Sequence, residues 1–200
     1  MAHVSTGVEY GLHCLLFLVE DRDRFRSEAV RDLAELQGLP AEYVAKIFTK
    51  LQKADLVTST EGLHGGFTLS RRPADISVLD VVLAIDGDKP LFECREVRER
   101  CAVFKRKPPA WALEGLCSIH AIMREAEDRM REVFASRSLA DIADKVSAKA
   151  PPEFNLEVGR WLEGRVAARG LRVKPSAPKS AAPSRKVKTP RVVSGKRERN

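Results

Sequence analysis

Residues 28–69, EAVRDLAELQGLPAEYVAKIFTKLQKADLVTSTEGLHGGFTL, decide the fold. Val30, Leu33, Ala34 and Leu36 repeat at helical spacing until Gly38 breaks the pattern. A second helix is predicted after Pro40, with Tyr43, Val44, Ile47, Phe48 and Leu51 on one face. Glu42, Lys46, Thr49, Lys50 and Lys53 share the opposite face. Two helices joined by a glycine-containing turn match the helix-turn-helix, whose second helix enters the major groove. Residues 56–60 are rich in strand formers, Gly62, Gly65 and Gly66 follow, and residues 67–69 return as a second strand. With Arg71 and Arg72 behind the hairpin, the stretch predicts a winged helix that binds DNA. The alternative is two helices and a hairpin packed for stability alone.

Around this stretch, 200 residues with 44% hydrophobic content suffice for one or two folded domains. The longest apolar run, residues 12–19, is too short to span a bilayer, and no basic segment precedes it. A cytoplasmic protein without membrane contact is expected. Four cysteines in that setting argue against a disulfide framework and leave room for metal or redox chemistry. Residues 165–200 hold twelve Lys or Arg and one acid, a net +11. Because the whole chain carries +7, residues 1–164 carry −4. Four prolines between 175 and 190 mark this basic end as a largely disordered tail. It suits loose, salt-sensitive contact with phosphate or serves as a solubilising tail.

At the N-terminus, Ser5 or Thr6 can cap a helix running to about Glu20. Glu9 and His13 lie one turn apart and project from one side. Residues 6–9 also fit a capping box, which would account for Glu9 by itself. Cys14 points elsewhere and reads as a small buried hydrophobe. Ser77 with Asp80 predicts another capped helix, ending at Gly87. Then a charged segment carries Cys94 and Cys101, and Cys117 and His120 open a long helix. Two or three cysteines and a histidine can ligate zinc or iron–sulfur, although no CxxC pair is present. Leu116, Ile119, Met123, Ala126, Met130 and Val133 form a 3-4-3-4-3 seam on the long helix. Such a seam either packs on its own domain or makes a homodimer, which suits a palindromic operator.

These motifs together resemble the Rrf2 family of winged-helix transcription regulators. The carrying residues are Asp32-Leu33-Ala34, Tyr43-Val44, Ile47-Phe48, Lys50-Leu51, Ala54, Leu56-Val57, Gly62, Gly65-Gly66-Phe67, Leu69, Asp80-Val81-Val82 and Cys117-Ser118-Ile119-His120. The resemblance runs from about Gly7 to Ile142. It implies a mainly α fold with a small β-wing, a long dimerisation helix, double-stranded DNA as partner, and no enzymatic activity. It divides the chain into a winged domain (1–90), a cluster-binding loop (91–112), a dimerisation helix with return segment (113–146) and a basic tail (147–200).

Residues 7–14 look most like the family's redox-sensing branch. That likeness implies a 2Fe–2S cluster held by Glu9 and His13 of the first helix with Cys94 and Cys117 of the loop, the helix reaching across the dimer. The other family pattern would use Cys94, Cys101 and Cys117 with His120 or Glu9, and it leaves 4Fe–4S open. Nitrogen ligation raises a cluster's potential toward cellular oxidants, which suits a redox sensor. A cluster-free regulator switched by Cys94 and Cys101 is the alternative, and an iron–sulfur electron carrier a more distant one. No phosphate loop, nucleophile–base pair or small-molecule substrate motif is present. For DNA, Ala41, Glu42 and Lys46 are the expected base readers, with Lys50, His64, Arg71 and Arg72 on the backbone or wing. Glu61 stands where the family's wing commonly carries an arginine, so sequence preference should differ from that of relatives with the arginine.

Overall fold

The computed structural model describes residues 4–62 and 65–172. His64 and the basic segment beyond residue 172 lie outside the described residues. Within them the protein is mainly helical with one two-stranded antiparallel sheet. No described helix is long and apolar enough to cross a membrane.

Helix α1 (Thr6–Leu16) ends four residues before the predicted limit. The chain turns there, Val19 bridges Phe25, and the Arg26 amide donates to the Leu18 carbonyl at 2.8 Å. Ser5 is its N-cap, but no side chain caps the helix. Instead the Ser5 amide and hydroxyl donate to Asp86 at 2.8 and 2.5 Å. The expected capping box at residues 6–9 is therefore absent, and Glu9 is not consumed by it. Gly7 and Gly11 let α1 approach its neighbours closely. A Cβ on Gly11 would lie 2.5 Å from Ile85 and 3.3 Å from Ile47, and one on Gly7 would lie 3.1 Å from the Tyr43 hydroxyl.

Helices α2 (Val30–Leu36) and α3 (Ala41–Lys53) flank a turn in which Gly38 takes φ +65°, a left-handed conformation natural to glycine. Val44, Ile47, Phe48 and Leu51 of α3 are buried with Leu15, Leu33 and Leu56. Strands β1 (Val57–Thr60) and β2 (Gly66–Leu69) form the wing, with Val57 opposite Leu69. Glu28 adds to its edge by exchanging both backbone hydrogen bonds with Phe67, at 3.0 and 2.8 Å. Phe67 then meets Phe48 edge-on, ring centres 5.1 Å apart. Helix α4 (Val78–Asp86) starts with the predicted capping box: the Asp80 amide donates to Ser77 Oγ at 3.0 Å, and the Ser77 amide to Asp80 Oδ2 at 2.9 Å.

Four helices follow: α5 (Ala110–Leu113), α6 (Ser118–Ala135), α7 (Leu139–Ser147) and α8 (Pro152–Arg172). Residues 139–147, expected with the dimerisation unit, are built into the winged core. The Val78 amide donates to Arg137 O and the Leu139 amide to Ile76 O, and Leu139 is fully buried. Residues 152–172, assigned to a largely disordered tail with only a hint of a short helix at Trp161 and Leu162, form one continuous helix. Trp161, Arg165 and Arg169 recur at i, i+4 and i+8, which puts them on one face. Leu162 is only 2% exposed. Arg165 and Arg169 pair with the buried Asp32 of α2, Arg165 also with Glu35, and the Arg165 guanidinium stands 5.2 Å over the Trp161 ring. Average composition, weighted by proline and lysine, conceals this local pattern.

Gly66 sets the seat of the wing, since a Cβ there would lie 2.5 Å from the backbone of Glu28. Gly66→Ala is expected to cost about 1–3 kcal/mol in urea denaturation. Gly159→Ala, whose Cβ would meet nothing, is expected to stabilise α8 by roughly 0.5–1 kcal/mol.

Candidate nucleic-acid interface and sulfur site

Ala41, Glu42 and Lys46 all stand on the exposed face of α3. Lys46 has no hydrogen-bond or ion-pair partner among the described residues, so its ammonium is available to a phosphate or a base edge. Lys50 is different: its Nζ donates to the Ile85 carbonyl at 2.6 Å, satisfying the last turn of α4. Arg72 is likewise engaged. Its guanidinium grips Asp75 at 2.8 and 3.1 Å and reaches Asp23 at 3.2 Å. The Asp75 carboxylate holds the Arg72 pKa above its ordinary value, and Asp75 in turn titrates lower. Arg71 touches only the Asp75 carbonyl at 3.5 Å. Of the expected DNA contacts within the described residues, Ala41, Glu42, Lys46 and Arg71 remain open, while Lys50 and Arg72 serve internal contacts.

The cysteine segment runs through two short 3₁₀ stretches, Val97–Arg100 and Ala102–Phe104, before α5. Cys94 is half-buried and its sulfur accepts the Glu96 amide at 3.4 Å. Cys117 occupies the N-cap of α6. Amides of His120 and Ile119 donate toward its sulfur and hold the thiol below the ordinary range, with the Arg98 charge adding to the effect. Arg98 ties the two cysteine-bearing segments together. Its fork meets Glu96 at 2.5 and 2.9 Å, and its Nη2 donates to the Gly115 carbonyl at 3.3 Å. Glu96, Lys105 and Arg106 all adopt positive φ, at 45°, 45° and 66°. His120 packs edge-on to Phe92, and Cys101 is exposed. Cys14 is buried, its thiol pushed up to about 12 by desolvation, and it takes no part.

Glu9 and His13 are both exposed on α1. With Leu12, Val82 and Phe134 they line an open, largely apolar cleft of about 570 Å³. Within one chain, no three His, Cys, Asp or Glu side chains converge among the described residues. The expected ligands are therefore not gathered within one chain: Glu9 and His13 lie one turn apart on α1, while Cys94 and Cys117 both lie near the Arg98 charge. Arg98 and Glu96 escaped the sequence reading, because an acid and an arginine two apart in a charged segment carry no periodic signal. So did the edge contact of Tyr10 with Tyr43, at 5.9 Å, which joins α1 to the presumptive reading helix.

A family model described as Rrf2, iron-dependent transcriptional regulator, matches residues 4–145. The chain belongs to the Rrf2 family. It is a DNA-binding transcriptional regulator of that family rather than an enzyme. The protein Rrf2 of Nitratidesulfovibrio vulgaris is 31% identical over 139 residues, covering 70% of this chain and 85% of the relative. The regulator IscR of Photorhabdus laumondii is 30% identical over 113 residues, covering 56% of this chain and 62% of that one. Among solved structures, CymR, the global cysteine regulator of B. subtilis, superposes with a TM-score of 0.54 at 23% identity, covering 72% of this chain and 98% of CymR. IscR of T. potens gives 0.54 at 23% identity, covering 76% and 95%. These likenesses place the winged-helix fold, and the family match stops short of α8.

In metal-free protein, iodoacetamide is expected to label Cys117 well before Cys14 at neutral pH. Arg98→Gln should move the Cys117 alkylation profile to higher pH, because it removes a charge that favours the thiolate. An unmoved profile in a folded variant would show that Arg98 does not act on this sulfur.

Proposed function

We propose that this regulator works as a homodimer that senses redox state through an iron–sulfur cluster, 2Fe–2S by preference, shared between protomers. The observation that carries the reading is that Glu9 and His13 are not gathered with Cys94 and Cys117 within one chain, while α6 leaves an apolar row exposed. Ile119, Met123, Ala126 and Val133 are exposed along α6, with Ile119 at 60%, and Leu116 is exposed just before it. An apolar row of that length left in water favours a second copy. An adjoining face of α6 is tied down, since Glu127 accepts the Leu91 amide at 3.1 Å and Arg131 holds Asp88 at 2.8 Å.

The donor chemistry suits the group. Cys117 favours its thiolate, Cys94 is reached by a backbone donor, and an imidazole and a carboxylate complete a mixed set. Such a cluster would supply a one-electron redox change. Arg98 holds the two cysteine segments and places positive charge beside them, while Glu96 fixes the guanidinium. Glu9 and His13 ride on α1, which seats on α3 and α4 through Gly11 and meets Tyr43 through Tyr10. A shift of α1 therefore bears directly on the reading helix and, through it, on half-site spacing.

The second reading keeps the DNA-binding regulator and replaces the cluster with a thiol pair of Cys94 and Cys101. The exposure of Cys101 in the same loop favours it. Protein purified without oxygen is expected to be coloured, with about two irons and two sulfides per chain in the two-iron reading. Mixing Glu9→Ala/His13→Ala protein with Cys94→Ser/Cys117→Ser protein should restore part of the colour, because a mixed dimer holds one complete site. Colourless protein after reconstitution would move the assignment to the thiol pair. Independently, Lys46→Ala should weaken operator binding and reduce its salt slope by about 1 if the lysine meets a phosphate.

A further inference from the structure

A second cavity, of about 310 Å³, lies where α1, α7 and α8 meet, away from the DNA-reading face of α3. Its size falls at the lower end of the roughly 300–1,000 Å³ typical of small-molecule sites. Leu16, Phe17 and Val19 give it an apolar wall, and Phe154 of α8 closes it from the opposite side. Arg26 also lines it. Its Nε is buried and, among the described residues, has no hydrogen-bond partner. Folded proteins rarely leave a buried charged donor without an acceptor. The Arg26 backbone is held by its bond to Leu18, so the side chain springs from a fixed point.

We propose that this cavity binds a small monocarboxylate with an apolar body, the carboxylate accepting from Arg26 and the body lying between Phe17 and Phe154. One guanidinium beside an apolar wall matches one negative charge. Glu20 lines the same cavity and disfavours a dianion such as a phosphate ester. Gln37 and Asn155 offer side-chain amides for one further polar group on the ligand, an amino substituent included.

Phe154 and Asn155 lie beyond residues 4–145 matched by the family. Occupancy would join α8 to α1 at a cavity that His13 also lines. The far half of α8 is already latched to α2 by Arg165 and Arg169. The ligand would thus tie the C-terminal helix to two elements of the winged domain. This inference does not depend on the cluster.

The test is calorimetric titration of the metal-free full chain with phenylacetate, isovalerate, L-phenylalanine, phenyl phosphate and the neutral phenylacetamide. Saturable binding of at least one carboxylate is expected, with phenylacetamide and phenyl phosphate each weaker by about tenfold or more. Comparison of phenylacetate with L-phenylalanine separates a simple acid from an amino acid. Arg26→Met should weaken binding by at least about tenfold, and Phe154→Ala, which alters only α8, should weaken it several-fold. No saturable binding by any carboxylate, equal binding of the amide, or full affinity in both variants would overturn the proposal.

Discussion

The close seat of α1 governs the rest of the structure. Gly7 and Gly11 bring its backbone against Tyr43, Ile47 and Ile85, so one helix touches both the reading helix and α4. Residues two apart on an α-helix differ by about 200° in direction. The same spacing that turns Gly7 and Gly11 inward therefore turns Glu9 and His13 outward, on the face that lines the apolar cleft. The proposed ligand face and the proposed DNA-reading helix α3 are thus separated by the thickness of one helix.

Much of this was legible in the chain. The periodic apolar residues of α2 and α3, the turn at Gly38, the hairpin and the Ser77–Asp80 cap are local patterns, and each formed where it was read. What escaped depends on tertiary placement. Lys50 looks like a free cation in sequence, but its partner, Ile85 O, is distant in the chain, whereas the main partner of Arg72, Asp75, lies only three residues on and carries no periodic signal. Helix α8 was obscured because its stabilising acids, Asp32 and Glu35, lie far upstream. The four candidate ligands were picked out by resemblance, and one chain does not gather them among the described residues; in the proposed dimer the site would be intermolecular and would leave no short-range spacing to read.

Net charge also proves a poor guide to the DNA face. Arg22 joins α7 through Asp141 and Asp144, Arg131 joins α6 to Asp88, and Arg165 and Arg169 join α8 to α2. These arginines fasten elements to one another. Their planar, many-donor heads suit that task better than an ammonium does. The surface charge open to phosphate is accordingly smaller than a count of basic residues suggests, and Lys46 and Arg71 weigh more within it.

The cysteine segment has a mechanical side as well. Glu96, Lys105 and Arg106 hold left-handed backbone without being glycines, each at a cost of about 1–2 kcal/mol. That energy is offset by what clasps the segment, chiefly the Arg98 fork on Glu96 and its reach to Gly115. Losing the Arg98 contacts would leave the cost of the Glu96 conformation uncompensated, so this part of the loop owes its shape to its side chains more than to its backbone preference.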